Sequence, residues 1–222
     1  VAIDFVGQPQ TRLAATDRHG GKLAWWSNQA TSSDSTLTRA FDLRALAPGT
    51  AVTMTVSMWW EIEDGYDYGY VEASRDGRKW QILPSRHTTT TNPSGNSYGA
   101  GFTGRSPLPA SQVEQWVTEQ FDLRAFAGKA IQLRFEYVTD DSHSGQGWFI
   151  DNVRIPALGY ANDFETNAAG WVSQGWLLTD NQLPQRWLLQ LLAFTGDHLT
   201  SVRRVPVADD GHAHLVVEQL GQ

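Results

Sequence analysis

The sequence predicts an all-β protein, an antiparallel sandwich of short strands followed by a smaller β unit. Three observations predict it. Helical periodicity is nearly absent across the 222 residues, and short alternating runs bounded by Gly, Pro, Asn, Asp and Ser recur from end to end. A hydrophobic content of 41%, with 10 Trp, 9 Phe and 6 Tyr, supplies the bulk that two facing sheets need.

Strands are expected near 23–27, 36–43, 51–62, 67–74, 79–83, 115–122, 130–139, 147–155, 170–179, 185–194, 200–207 and 213–219, with little helix. The run 51–62 alternates most clearly. Val52, Met54, Val56, Met58, Trp60 and Ile62 fall on one face, which builds a core. Thr53, Thr55, Ser57, Trp59, Glu61 and Glu63 fall on the other, which is left free to meet a partner. An acidic turn, Glu63-Asp64-Gly65-Tyr66-Asp67, then leads into the strand expected at 67–74.

The strands 36–43 and 115–122 belong to an internal repeat. Leu37-Thr38-Arg39-Ala40-Phe41-Asp42-Leu43 returns as Val117-Thr118-Glu119-Gln120-Phe121-Asp122-Leu123, and each copy passes through a Gly-containing turn into a long strand, 51–62 or 130–139. In each Phe-Asp-Leu the Asp is expected to accept backbone N–H groups of the following turn. Between the copies runs 88–104, a polar, Gly-rich connection of the length that packs down as an Ω-like element or serves binding. A second break, Pro156-Ala157-Leu158-Gly159, divides a sandwich over 1–156 from a smaller unit over 157–222. About four strands cannot bury both faces of a sheet, so that unit is expected to pack on the first or continue beyond Gln222.

Composition excludes several functions. With 17 basic and 24 acidic residues the net charge is −7, which disfavours nucleic acid and anionic membrane and favours calcium or a basic partner. No apolar run is long enough to span a bilayer, and the first residues lack a signal-peptide pattern, as expected of a mature or excised piece. The absence of cysteine rules out disulfides and thiolate metal sites. His19, His87, His143, His198, His212 and His214 include no H-E-x-x-H pair, so no zinc site of that kind exists. His212 and His214 share a strand face without a third ligand. Gly99-Ala100-Gly101-Phe102-Thr103-Gly104 matches a dinucleotide loop but precedes Ser106-Pro107-Leu108-Pro109 instead of a helix, so no nucleotide is expected.

Several segments in combination carry a family resemblance. They are Trp25-Trp26-Ser27, Phe41-Asp42-Leu43, Trp60 to Ser74, Asp76-Gly77 before Trp80, Phe121-Asp122-Leu123, Tyr137-Val138-Thr139-Asp140 and Ile150-Asp151-Asn152-Val153. The chain resembles the region after the catalytic domain in secreted bacterial metallopeptidases of the immune inhibitor A (M6) type, whose central part is a MAM-like jelly roll. The resemblance implies a non-catalytic accessory region of an extracellular protein. Its partners would be other domains of the parent chain and a protein or glycan substrate. A carbohydrate-binding module is the alternative, and an independent hydrolase the weakest reading.

Two kinds of site remain. Hard oxygen ligands for structural calcium gather after the two long repeat strands, at Glu61, Glu63, Asp64 and Asp67 and at Asp140 and Asp141. Side by side, such charges repel and a divalent cation relieves them. Asp151 is read on one face with Phe149, Val153 and Ile155, where a carboxylate needs a partner. In jelly rolls like those it resembles, such an Asp helps hold a cation with a residue of an early strand, here Asp4. The alternative is that Asp151 pairs with an Arg or with backbone N–H groups and that the acidic loops are solvated. For glycan contact, Trp59, Tyr66, Tyr68 and Tyr70 offer flat faces beside Glu61 and Glu72. The opposing reading makes Tyr68 and Tyr70 ordinary cross-strand pairs.

Overall fold

The structure is a computed structural model that describes residues 1–17, 19–107 and 116–217. The expected strands at 115–122 and 213–219 therefore run partly outside the described residues, as does Leu108-Pro109. Strands dominate, and the helical content described is two short 3-10 turns, Arg124–Phe126 and Pro156–Leu158. No helix among the described residues is long and apolar enough to cross a membrane.

The chain divides into two compact units, Ala14–Asn181 and a second built from Val1–Leu13 with the chain from Gln182 onward. The grouping differs from a break at residue 156. The segment expected to open a new unit instead completes the first: Tyr160–Asn162 pairs with Gly147–Ile155, Val172–Gln174 with Asp34–Asp42, and Leu177–Thr179 with Ala24–Trp26. Trp171 and Trp176 are buried in the same core.

The larger unit is an antiparallel sandwich. One sheet has the order Val172–Gln174, Asp34–Asp42, Ala130–Val138, Tyr68–Ser74, Trp80–Ile82. The other has the order Leu177–Thr179, Ala24–Trp26, Gly147–Ile155, Thr53–Glu61, Val117–Asp122, with Tyr160–Asn162 added beside Gly147–Ile155. The two repeat copies cross between the sheets in opposite directions. Asp34–Asp42 lies in the five-stranded sheet and is followed by Thr53–Glu61 in the six-stranded one; Val117–Asp122 lies in the six-stranded sheet and is followed by Ala130–Val138 in the five-stranded one. The strands of the two copies then pair, Asp34–Asp42 with Ala130–Val138 and Thr53–Glu61 with Val117–Asp122. At both corners the Asp does what the repeat predicts. Asp42 Oδ1 accepts the Arg44 N–H at 3.0 Å, and Asp122 Oδ1 accepts the Arg124 N–H at 2.8 Å.

The core lies between the sheets. Val52, Met54, Val56, Met58, Trp60 and Ile62 all enter it, as their alternation predicts, and face Leu37, Val71, Leu133 and Phe135. Both open edges are closed by crossing segments. On one, Phe102 bridges to Gly69 and Arg105 to Glu61, so the chain passes from sheet to sheet while Phe102, fully buried, packs on Trp60 at 4.9 Å and on Trp148 at 5.4 Å. On the other, the chain passes from Val172–Gln174 to Leu177–Thr179 through Gly175. Its φ is +86° and a Cβ would come within 2.7 Å of Ser35 Cβ, so only glycine makes this crossing without strain.

The smaller unit is thin. Among the described residues it holds three antiparallel pairs: Ala2–Val6 with His212–Val216, Gln10–Arg12 with Gln182–Pro184, and the hairpin Leu189–Thr195 with His198–Val205. Val205 is its one buried large hydrophobe among the described residues, whereas Leu192, Phe194, Leu199 and Val202 are exposed.

The packing makes Phe102 a structural residue of the long loop. Replacing Phe102 by Ala should cost about 3–5 kcal/mol in denaturant unfolding. A cost near zero would show that the loop only lies on the sandwich.

Candidate metal centre and expected contact surface

The acidic corner is built by two strands that end together. After Thr53–Glu61, Ile62 is buried and its N–H donates to the Gly104 carbonyl at 2.7 Å, which fixes the exit of the chain. A tight turn follows, with Gly65 at φ +75° and the Asp67 N–H on the Glu63 carbonyl at 3.2 Å. The chain then enters the five-stranded sheet, where Tyr68 pairs with Val138 and so sets Asp67 near Asp140. One carboxylate oxygen from each of Glu63, Asp67 and Asp140 lies within 4.8 Å of the others. Two ligand oxygens each about 2.4 Å from a calcium ion are at most about 4.8 Å apart, so the spacing suits one ion between them.

Asp67 is fully buried. Its Oδ1 accepts the Asp140 N–H at 2.8 Å, while its Oδ2 and the Glu63 Oε2 are buried without a hydrogen-bond partner. Burial pushes the Asp67 carboxyl up to about 6, helped by the charges of Asp140 and Glu63 and opposed by the Asp140 N–H and, more weakly, by the Tyr137 hydroxyl. Burial, with the charge of the neighbouring Asp67, holds the Tyr137 hydroxyl above its usual pKa, and its contact with Asp67 falls outside hydrogen-bond geometry. Oxygen donors alone suit a hard cation, and the orphaned Asp67 oxygen is what such an ion would satisfy.

The other expected ligands are not in this group. Asp141 is exposed. Asp4 belongs to the smaller unit, is exposed, and its carboxylate meets His214 Nδ1 at 2.5 Å. Asp151 is buried, but not on the face expected for it. The pairing of Gly147–Ile155 with Thr53–Glu61 shifts register between Asp151 and Arg154, and Asn152 takes φ +49°. The bulge turns Val153 and Ile155 into the inner core beside Trp148 and Ile150, away from Phe149 and Asp151. Asp151 Oδ1 accepts the Asn152 N–H at 2.6 Å, and burial, with the nearby charges of Glu165 and Asp163, raises its pKa to about 7. The backbone partner is the one that the alternative reading supplies.

The aromatic contact surface needs correction too. Trp59 is fully buried against Phe149 at 5.9 Å, on the outer face of the six-stranded sheet, and Trp116 also packs on Phe149, at 6.2 Å. That face of the strand Thr53–Glu61 is covered at Ser57 and Trp59, while Thr53 stays exposed. Tyr68 and Tyr70 point away from the core, yet each is 1% exposed because the long loop lies over them. The Tyr68 hydroxyl donates to the Thr91 carbonyl, the Tyr98 N–H donates to the Tyr70 hydroxyl, and Tyr98 stacks on Tyr70 at 5.6 Å. Of the four, Tyr66 alone is exposed, at 50%. Other expected features resolve plainly: Gly99 to Gly104 is part of the edge-closing segment, and His212 Nδ1 faces Asp210 at 3.2 Å.

Comparison with known proteins places this arrangement. The family described as "Immune inhibitor A-like, MAM domain" matches residues 3–180. The chain belongs to that family. Among similar proteins, Immune inhibitor A of Bacillus thuringiensis subsp. alesti is 30% identical over 152 residues, which is 68% of this chain and 19% of that protein. The Pre-pro-metalloprotease PrtV of Vibrio cholerae serotype O1 is 27% identical over 151 residues, 68% of this chain and 15% of that protein. Bacillopeptidase F of Bacillus subtilis strain 168 is 27% identical over 113 residues, 50% of this chain and 6% of that protein. The chain thus spans under a fifth of the length of each.

The match to the immune inhibitor A-like MAM family runs through the segment 157–180, in agreement with the strands that segment gives to both sheets. Sequence reasoning missed Tyr137 as a neighbour of the acidic group. The period-two count could have found it, since Tyr137 is buried on the inner face three residues before Asp140.

Asp151 yields a pH prediction for this MAM domain. Its folded pKa of about 7 lies above the usual 3.8, so ionisation favours the unfolded chain. Stability contributed by the protonated form is full below about 4 and is lost as pH rises through about 7. Asp151→Asn should melt above the parent at pH 8 and converge with it near pH 4. Parallel melting curves across that range would remove the shift.

Proposed function

We propose that the chain is a non-catalytic accessory module of an exported M6-like metallopeptidase, stabilising or positioning its neighbours and contacting their substrate, with structural calcium at Glu63, Asp67 and Asp140. Three considerations support the module reading. The chain belongs to a family described by its MAM domain, it aligns with 15–19% of two relatives named Immune inhibitor A and Pre-pro-metalloprotease, and it carries no H-E-x-x-H. Export is the expectation that the resemblance to immune inhibitor A-type peptidases carries.

One observation carries the calcium reading: a fully buried Asp67 has a carboxylate oxygen without a partner, between two further carboxylates. An unpaired buried carboxylate is costly, and a divalent ion converts repulsion among three charges into attraction. The ion would join the turn after Thr53–Glu61 to the one after Ala130–Val138, so it would tie the two sheets at one end.

Calcium at about 100 times its dissociation constant should raise the melting temperature by about 5–10 °C over chelator-treated protein. Asp67→Asn should abolish that shift while leaving the apo protein as stable or more so. An equal shift in the variant would move the ion elsewhere, and no shift in the parent would remove it. The purified chain should not hydrolyse casein; turnover abolished by a point substitution would overturn the non-catalytic reading.

A further inference from the structure

The outer face of the five-stranded sheet is only half covered. The long loop seals the end that carries Tyr68 and Tyr70, and beyond it the face lies open. Two cavities occupy the open part, of about 710 and 670 Å3, and Trp80 lines both. The second runs from Trp80, on one edge strand, across Gln132, Thr38 and Thr36 to Gln174, on the other edge strand. Five strands about 4.8 Å apart give a groove roughly 19 Å long, which fits a chain better than a single small molecule.

Its chemistry is specific. Thr36, Thr38, Gln132 and Gln174 present neutral donors and acceptors, the set that pairs with sugar hydroxyls, beside the cations Arg39 and Arg134 and one acid, Asp34; the Thr36 hydroxyl donates to Gln174 Oε1 at 3.3 Å. Trp80 is held in place by the Arg134 guanidinium, 4.1 Å from its ring, and Arg134 is itself fixed by Glu72 at 2.6 Å and Glu136 at 2.8 Å. An aromatic ring braced in this way is a preorganised wall. The first cavity adds charge. Arg44, Arg75, Lys79 and Lys129 line it with one acid, Asp76, in a chain whose net charge is −7, and the Lys129 amino group donates to the Ala125 carbonyl at 2.6 Å. Asp76 is exposed and tied to its own turn, accepting the N–H groups of Arg78 and Lys79 at 2.9 and 2.8 Å. Arg44 is shared with Asp42 at 2.7 Å. Cations therefore dominate this one cavity on an acidic molecule.

We propose that this face binds an acidic polysaccharide, with sugar rings across Trp80, Gln132, Thr38 and Thr36 and carboxylate or sulfate groups on Lys79, Lys129, Arg44 and Arg75. An acidic peptide fits less well. Peptides in extended form bind along sheet edges through backbone pairing and place side chains in apolar pockets, whereas this groove crosses the face of the sheet and is lined by polar side chains. The site lies on residues separate from Glu63, Asp67 and Asp140, and it does not depend on the calcium reading.

The test is calorimetric titration of the whole chain in calcium-containing buffer. Polygalacturonate and heparin serve as carboxylated and sulfated glycans, dextran as a neutral one and poly-glutamate as a peptide polyanion. At least one acidic glycan should bind about tenfold or more tightly than dextran and poly-glutamate, with affinity falling as salt rises. Arg75→Glu with Lys79→Glu should cost at least about tenfold of that affinity with an unchanged melting temperature. Thr38→Ala with Gln132→Ala should weaken binding while preserving its salt dependence. Poly-glutamate binding as tight as the glycans would assign the face to an acidic protein and overturn the proposal. So would dextran binding as tight, unchanged affinity in both double variants, or no binding to any probe.

Discussion

The indole of Trp148 is the contact on which the larger unit depends. It projects from Gly147–Ile155 in one sheet and meets Phe135 of the other at 5.8 Å, Phe102 of one crossing segment at 5.4 Å and Trp176 of the other at 5.6 Å. Both sheets and both closures therefore converge on one fully buried side chain. Its neighbourhood leaves no slack: a Cβ on Gly69 would come within 2.7 Å of Trp148 Cε3, so the opposing strand approaches closely only because that position is glycine. Rings packed edge to face across a sandwich fill its depth and fix the sliding of one sheet over the other.

That fixed relation gives the acidic corner its geometry. Glu63 follows a strand of the six-stranded sheet, whereas Asp67 and Asp140 border strands of the five-stranded sheet, so their oxygens meet only if the sheets keep their register and separation. The cost of crowding three carboxylates, one of them buried, is borne by the rigid core. The opposite arrangement holds on the outer sheet face. There a single Arg134 bridges Glu72 and Glu136 beneath Trp80, and burial together with the Glu72 charge raises the Glu136 carboxyl above its usual range.

Much of the fold was legible in the sequence, for a local reason. A strand with one buried face writes a period of two into its residues, and 51–62 entered the core at every predicted position. The repeat was legible because two similar corners need the same Asp. The nearness of Glu63, Asp67 and Asp140 was legible because the repeat makes the ends of two long strands alike. The misreadings share the opposite cause, dependence on partners distant in sequence. Alternation assigns Tyr68 and Tyr70 to the outer face and says nothing of a loop that returns some thirty residues later to cover them, as in the Tyr98 N–H bond to the Tyr70 hydroxyl, 28 residues away. A single extra residue near Asn152 inverts the period, so Asp151 was separated from Val153 and Ile155 by a bulge that no side-chain pattern announces. The segment at 170–179 read as a fresh strand because its role, one short strand for each sheet, is visible only once both sheets exist.

The two edge closures have a consequence for where the molecule can live. Both seams of the sandwich are shut by aromatic side chains carried on the chain itself, Phe102 on one side and Trp176 on the other, and the sequence contains no cysteine. Its cohesion is therefore indifferent to the thiol–disulfide balance of its surroundings. The same fold can assemble in a reducing compartment or an oxidising one, without an oxidant or an isomerase.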